Sequence, residues 1–285
     1  MEDWMNRCTL CPRRCGADRT VSVGRCGVGE QVRLARAALH FWEEPCVSGE
    51  EGSGTVFFSG CSLGCVFCQN YQISAGHFGR DIPVERLAEI FLELQEQKAN
   101  NINLVTGGHY IPQIVRALDL VRGRLRIPVV YNSSGYETVE ALRMLKGYVD
   151  VYLPDLKYRS PERGARYSHA PDYFAVASKA ILEMFDQVGP VRFDGRGMIQ
   201  KGLIVRHMVM PNGVEDSMDI LTWIAGNLPL DDILVSVMSQ YTPFYKSGEY
   251  PEIDRRLTAQ EYDRVLDWLD CMGIENGFVQ ELSSA

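Results

Sequence analysis

Several features are missing from this 285-residue sequence. No run approaches the ~20 consecutive apolar residues of a membrane span, and the opening MEDWMNRCTL has no apolar stretch of signal-peptide length. Both absences set the expectation of a cytoplasmic protein with no membrane partner. Positive charge is not in surplus. The 29 Lys and Arg stand against 37 Asp and Glu, a net charge of −8, which argues against a broad nucleic-acid-binding face. No internal repeat and no low-complexity tract appear. An even cysteine count is also lacking. Nine cysteines without a secretory signal do not suit a disulfide framework, whereas clustered cysteines in a reducing compartment suit metal binding.

Enough apolar residues are present for a sizeable core, at 46% of the chain. Residues 1–50 are rich in cysteine and arginine, and SGEEGSG (48–54) reads as a connector. This divides the chain into a cysteine-rich N-terminal segment, 1–50, and a main body, 51–285. In the body, β-type runs occur at 55–60, 101–108, 127–135, 149–157, 202–212 and 233–243. Segments with helical spacing lie between and after them. PVERLAEIFLELQEQK, for example, carries Leu87, Ile90, Phe91 and Leu94 on one face. Six strands alternating with six helices predict an α/β fold with a parallel sheet, because parallel neighbours need crossovers. Periodicity leaves open whether the sheet is flat or curled. Polar residues gather just after the strands, where function collects in such folds.

The densest chemistry is GCSLGCVFCQN, with Cys61, Cys65 and Cys68 directly after the first of these strands. Three thiolates within eight residues can reach three corners of a cube-shaped iron–sulfur cluster and leave one iron free for a small molecule. The alternatives are three buried cysteines, or a zinc site completed by His77 or Cys46. Four more cysteines, Cys8, Cys11, Cys15 and Cys26, follow C-x2-C-x3-C-x10-C spacing and read as a closed site. That site would hold either a structural zinc or an auxiliary [4Fe–4S] cluster. Cys46 and Cys271 read as isolated thiols, with Cys271 expected in the core.

CSLGCVFC, with Phe67 just before the third cysteine, resembles the C-x3-C-x2-C signature of the radical S-adenosylmethionine (SAM) superfamily. CVFCQN is similar to the activating enzymes of glycyl-radical enzymes, above all the pyruvate formate-lyase activating enzyme. The resemblance covers about residues 55–245. It implies a partial (β/α)6 barrel in which Cys61, Cys65 and Cys68 hold a [4Fe–4S] cluster and SAM chelates its open iron. One-electron cleavage would then give a 5′-deoxyadenosyl radical that abstracts hydrogen from the substrate. A low-potential donor such as flavodoxin or ferredoxin would supply the electron.

Further positions carry weaker forms of the same likeness. TGGH places Gly107 and Gly108 where the family binds the SAM amino group, with His109 standing where Glu is common; an ordinary strand-to-helix turn is the plainer reading. DLK looks like the segment whose lysine meets the SAM carboxylate. Asp155 and Lys157, two apart, share a side, although a surface ion pair is the alternative. Arg206 in IVRHMVMP matches an arginine near the same carboxylate; His207 points to the other face as a packed residue. Asn132 in NSSG and Gln240 complete the expected SAM contacts.

Two enzyme functions and one of another class follow. The first activates a partner by taking hydrogen from a glycine Cα. The second keeps the radical chemistry on a peptide, nucleic acid or small molecule. The third is a non-catalytic iron–sulfur electron carrier, which would have no need of Asp155, Lys157 and Arg206 at strand ends.

Overall fold

A computed structural model describes residues 3–282. Along the chain lie α1 (Asp3–Asn6), β1 (Val32–His40), α2 (Pro45–Ser48), β2 (Ser53–Phe58), α3 (Tyr71–Ser74), β3 (Arg80–Ile82), α4 (Val84–Glu96) and β4 (Ile102–Val105). Next come α5 (Ile111–Leu120), β5 (Val129–Ser133), α6 (Val139–Met144), β6 (Val151–Pro154), α7 (Pro161–Ser168), α8 (Tyr173–Val188) and β7 (Arg192–Phe193). The series ends with β8 (Ile199–Met208), α9 (Val214–Asn227), β9 (Leu234–Met238), α10 (Ala259–Cys271) and β10 (Gly277–Val279).

The strands join in the order β10-β9-β8-β6-β5-β4-β2-β1-β3, with β7 on β8. From β2 to β10 every neighbour in this order is parallel. The six strands expected from the sequence are β2, β4, β5, β6, β8 and β9, and β10 adds an edge strand. Because β3 and β10 do not meet, the barrel is partial and open.

Side chains alternate across each strand, and here the two faces have different tasks. Val56, Phe58, Ile102, Leu104, Val205 and Val237 point outward into the main core, which the helices cover. Leu87, Ile90, Phe91 and Leu94 of α4 are all buried there, as their spacing predicts. The opposite, concave face carries Val130, Val151, Leu153, Ile204 and Leu234, packed against Cys46 and Val47 of α2 in a second apolar cluster. The segment around α2 is thus a plug filling one end of the curled sheet. Two asparagines fix it: Asn101 Nδ2 donates to the Val47 carbonyl at 2.7 Å and Asn100 Nδ2 to that of Ser48 at 2.7 Å.

The structure adds to or departs from the sequence reading in four places. A boundary at residue 50 would separate β1 from β2, yet these strands pair antiparallel from Leu34↔Phe58 to His40↔Ser53. VRLARAALH has no β-branched run, so its strand state comes from that pairing. Cys46 is a free thiol, as expected, and lies buried in the plug, where burial beside the Glu44 carboxylate pushes its thiol up to about 12. The stretch 158–171 contains α7, started by Ser160 accepting from the Arg163 N–H and by Pro161 in the first turn. Cys271 is exposed at the end of α10, not in the core; a terminal turn leaves its side chain on the solvent side.

Asn101 is 1% exposed and also accepts from Ser53 Oγ at 2.6 Å. Asn101→Ala would strand the Val47 carbonyl inside the barrel, a loss of about 1–3 kcal/mol. A lower denaturant midpoint with unchanged slope checks it.

Candidate active site

At the carboxyl ends of the strands the concave face changes from apolar to polar. Asn132, Asp155, Arg206 and Ser236 continue the rows begun by Val130, Leu153, Ile204 and Leu234, and they line a cavity of about 740 Å³. Position along a strand therefore decides whether a residue meets the plug or the cavity.

The loop after β2 forms one wall, and Cys61, Cys65 and Cys68 all line the cavity. Gly60, at φ +87°, starts the loop where any Cβ would lie 2.6 Å from the Cys26 carbonyl oxygen; only glycine fits this crossing. The Leu63 N–H faces Cys61 Sγ at 3.4 Å, and Ser168 Oγ donates to Cys65 Sγ at 3.0 Å. Cys68 Sγ lies 3.3 Å from Ser74 Oγ. Burial raises the Cys65 thiol to about 12 against the opposing pull of the Lys157 ammonium, and burial also raises Cys61. Without a cationic partner these thiols stay protonated; a metal would bind them as thiolates.

Four charges cross the cavity floor in a chain. Lys157 Nζ donates to Asp155 Oδ2 at 2.6 Å, and Arg206 Nε donates to Asp155 Oδ1 at 3.0 Å. Arg206 also reaches Glu43 Oε2 at 3.0 Å and Asn132 Oδ1 at 2.6 Å. Burial alone would raise the Asp155 carboxyl, but Lys157 and Arg206 together hold it below its ordinary value. Burial likewise pulls the Lys157 ammonium down, and Asp155 more than restores it. For Glu43 burial wins over Arg206 and the carboxyl is raised.

Phe67 lines the cavity at 5% exposure and packs on Tyr241, ring centroids 5.7 Å apart. Gln240 lines it too. Gly107 and Gly108 do not. A Cβ on Gly107 would meet Ile114 Cδ1 at 2.5 Å, and one on Gly108 would meet Glu137 Oε1 at 3.2 Å, so both glycines serve close packing behind the wall. Thr106, Ser133 and Ser134 line the cavity in that region instead. His109 is 3% exposed and donates from Nε2 to the Ser59 carbonyl at 2.8 Å, bracing the entry to the cysteine loop. Burial lowers its imidazole to about 4, so it is a neutral donor at pH 7. His207 is packed as expected, with Nδ1 donating to the Leu156 carbonyl at 2.7 Å and Nε2 paired with Ser217 Oγ at 2.8 Å. His77 and Cys46 are absent from the cavity lining, so neither completes a four-ligand site with the three thiols. Cys8, Cys11, Cys15 and Cys26 form a separate group, outside the cavity. Glu43 and Glu44, both lining the cavity, were invisible in the sequence: they lie in a stretch without periodicity, 163 residues from Arg206 in the case of Glu43.

Among the described residues, no three His, Cys, Asp or Glu side chains gather tightly enough to enclose a single metal ion. Three soft donors with cavity space before them, and no fourth thiol there, fit a multi-iron cluster with one exchangeable position.

Behind Ser133 lies Glu137, fully buried, accepting from Ser133 Oγ at 3.0 Å. Burial raises its carboxyl to about 8, with Asp155 adding to the rise and Ser133 opposing it. A raised carboxyl contributes stability fully below the unfolded value of 4.5 and loses it as pH climbs through 8. Glu137→Gln keeps the hydrogen bond and removes the titration. Relative to this variant, wild type should lose about 3–5 kcal/mol between pH 5 and 8; parallel urea melts across that range check it.

Comparison with known proteins agrees with this geometry. A family model described as Radical SAM superfamily matches residues 55–218. An uncharacterized protein of Methanocaldococcus jannaschii is 36% identical over 269 residues, covering 91% of this chain and 73% of that protein. Among solved structures, Streptococcus suis SuiB bound to S-adenosylmethionine superposes with TM-score 0.52 and 12% identity over 78% of this chain. This chain spans about half of SuiB, 48% of its length. Methylornithine synthase (PylB) gives TM-score 0.51 and 14% identity, covering 79% of this chain and 70% of that one. Such low identities carry the fold and nothing finer. The family match, spanning more than half the chain and containing the three-cysteine loop and the Asp155–Lys157–Arg206 floor, makes this protein a member of the radical SAM superfamily, whose enzymes work with a [4Fe–4S] cluster and S-adenosylmethionine.

Proposed function

We propose that the chain holds a [4Fe–4S] cluster through Cys61, Cys65 and Cys68, cleaves SAM reductively there, and takes a hydrogen atom from a glycine Cα of a partner protein. One observation carries the radical reading: the three thiols line the same cavity as the half-buried Lys157–Asp155–Arg206 chain. When bound, the cluster would pass one electron to the SAM sulfonium, giving methionine and a 5′-deoxyadenosyl radical that becomes 5′-deoxyadenosine on taking the hydrogen.

The protein's own residues bind and orient. Lys157 and Arg206 are cations fixed in a low-dielectric floor, available to the carboxylate of SAM, while Asp155 keeps both charged. Thr106, Ser133 and Ser134 offer hydroxyls for the amino group, and Phe67 and Gln240 flank the nucleoside end. Tyr158, Ser168 and Cys65 form a hydroxyl–hydroxyl–thiol chain, 2.9 Å and then 3.0 Å, that fixes the orientation of the middle ligand. A flavodoxin- or ferredoxin-type donor supplies the electron.

The partner reading is supported at the mouth. Trp42, 87% exposed, lines the cavity, and outside the lining Tyr71 of α3 stacks on Tyr245, ring centroids 5.1 Å apart. An exposed tryptophan beside a deep opening suits capture of a polypeptide loop. A simple electron carrier has no use for a half-buried ion chain within such a cavity.

Anaerobic reconstitution with dithionite and SAM should yield 5′-deoxyadenosine, and Cys65→Ala should lower the yield at least about a hundredfold. Lys157→Met should weaken SAM binding about 10–100-fold, the value of one charge-assisted hydrogen bond, read by equilibrium binding to the reconstituted protein. A glycyl-radical resonance on a co-purified partner tests the substrate; 5′-deoxyadenosine formed only with small molecules would reject it.

A further inference from the structure

The N-terminal thirty residues present a packing problem. After α1 they contain no helix or strand until Val32, and few apolar side chains other than Leu10 and Val28 are buried among them. Irregular segments of this length need a staple to hold one conformation. Cys8, Cys11, Cys15 and Cys26 are brought together within it. Each sulfur lies in interaction range of the other three. Cys15 and Cys26 bracket Gly24, whose Cβ position is 3.6 Å and 3.3 Å from their sulfurs.

Backbone amides lie near these sulfurs. The N–H of Arg13 faces Cys11, those of Ala17 and Arg25 face Cys15, and that of Val28 faces Cys26. Arg14 and Gly16 adopt positive φ of 41° and 66° to turn these amides inward, while Cys8 N–H binds the Ala17 carbonyl and Gly16 N–H the Cys8 carbonyl, both at 2.9 Å. Four thiols with backbone amides nearby, grouped too loosely to enclose a single metal ion, suit the wider reach of an iron–sulfur cluster.

The same segment grips the cysteine loop of the active site. Arg13 donates to the carbonyls of Ser62 at 2.9 Å, Leu63 at 3.0 Å and Ser168 at 2.9 Å, and also to that of His169. The Cys61 N–H donates to the Cys26 carbonyl at 3.3 Å. Arg19, 1% exposed, joins the carbonyls of Gly29 and His109 at 2.7 and 2.6 Å.

We propose that Cys8, Cys11, Cys15 and Cys26 bind a second, thiolate-held metal centre, and that this centre clamps the base of the Cys61 loop through Arg13 and the Cys26 carbonyl. The site stands on its own geometry and does not rest on the radical chemistry. The four sulfurs are grouped too loosely to enclose a single ion, which favours an iron–sulfur cluster over zinc as the occupant, and metal counting checks that choice.

The test is made on full-length protein purified without oxygen. The Cys61/Cys65/Cys68→Ala variant should retain about four irons with matching sulfide, and zinc in their place overturns the cluster assignment. A folded variant with no bound metal overturns the site. Should that variant not fold, Cys11→Ala/Cys26→Ala must lower the wild-type metal content by the same quota; an unchanged content overturns it. A wild type retaining this centre but no iron at the Cys61 loop would count against the proposed radical chemistry and support this site. Hydrogen exchange reads the clamp. Amides of residues 61–63 should exchange at least about tenfold faster in Cys11→Ala/Cys26→Ala than in wild type, and equal exchange overturns the bracing role.

Discussion

The half-buried chain Glu43–Arg206–Asp155–Lys157 is the constraint on which the rest of the site depends. A curled sheet encloses a space that side chains must fill, and this protein fills one end with the apolar plug of α2. Glu43 stands directly before the plug and extends to the cavity floor, where it meets Arg206. Two carboxylates and two cations alternate, so each half-buried charge has an opposite neighbour. Removing one member of such a chain costs about 3–5 kcal/mol, because its partner is left uncompensated. The arrangement contributes little net stability. It fixes two cations beside three thiols, on a cavity wall that leaves Lys157 15% and Arg206 14% exposed and so screens them less than the open surface would.

The cysteine loop has no regular structure of its own, and its shape is imposed from several directions. His109 holds the Ser59 carbonyl, Ile73 accepts from the Gly60 N–H at 2.9 Å, and Tyr167 accepts from the Val66 N–H at 2.8 Å. Lys246 N–H in turn binds the Val66 carbonyl at 2.9 Å, and Arg13 grips Ser62 and Leu63. These contacts come from elements spread across most of the chain. The positions of three sulfurs thus report on the whole fold, which explains why buried residues outside the cavity bear on its chemistry.

Some of this was legible in the sequence for a simple reason. Helical spacing of 3.6 reports which side of a helix is buried, and the parallel strands stand out as continuous apolar runs because both of their faces are covered. Asp155 and Lys157 were readable as a pair because strand geometry alone puts residues two apart on one side. Glycine was less informative. Gly107 and Gly108 suggested backbone approach to a ligand, yet the same residues meet the equally local demand of packing against Ile114 and Glu137. Strand β1 went unnoticed because its alternating Arg and Ala become β-structure only beside β2, and helix α7 because its signal is a cap rather than an apolar stripe.

The sequence by itself determined the parallel α/β alternation, the three-thiol loop at the end of β2 and the face shared by Asp155 and Lys157. Each is set by residues near one another in the chain, so spacing carries the information. Only the tertiary structure decided that Glu43 completes the ion chain with Arg206, that His109 braces the loop from behind, and that Arg13 ties the N-terminal cysteines to Ser62 and Leu63. These contacts join residues 49 to 163 positions apart. No local pattern encodes them, because they exist only once the sheet curls and brings its concave face, plug and loop into one space.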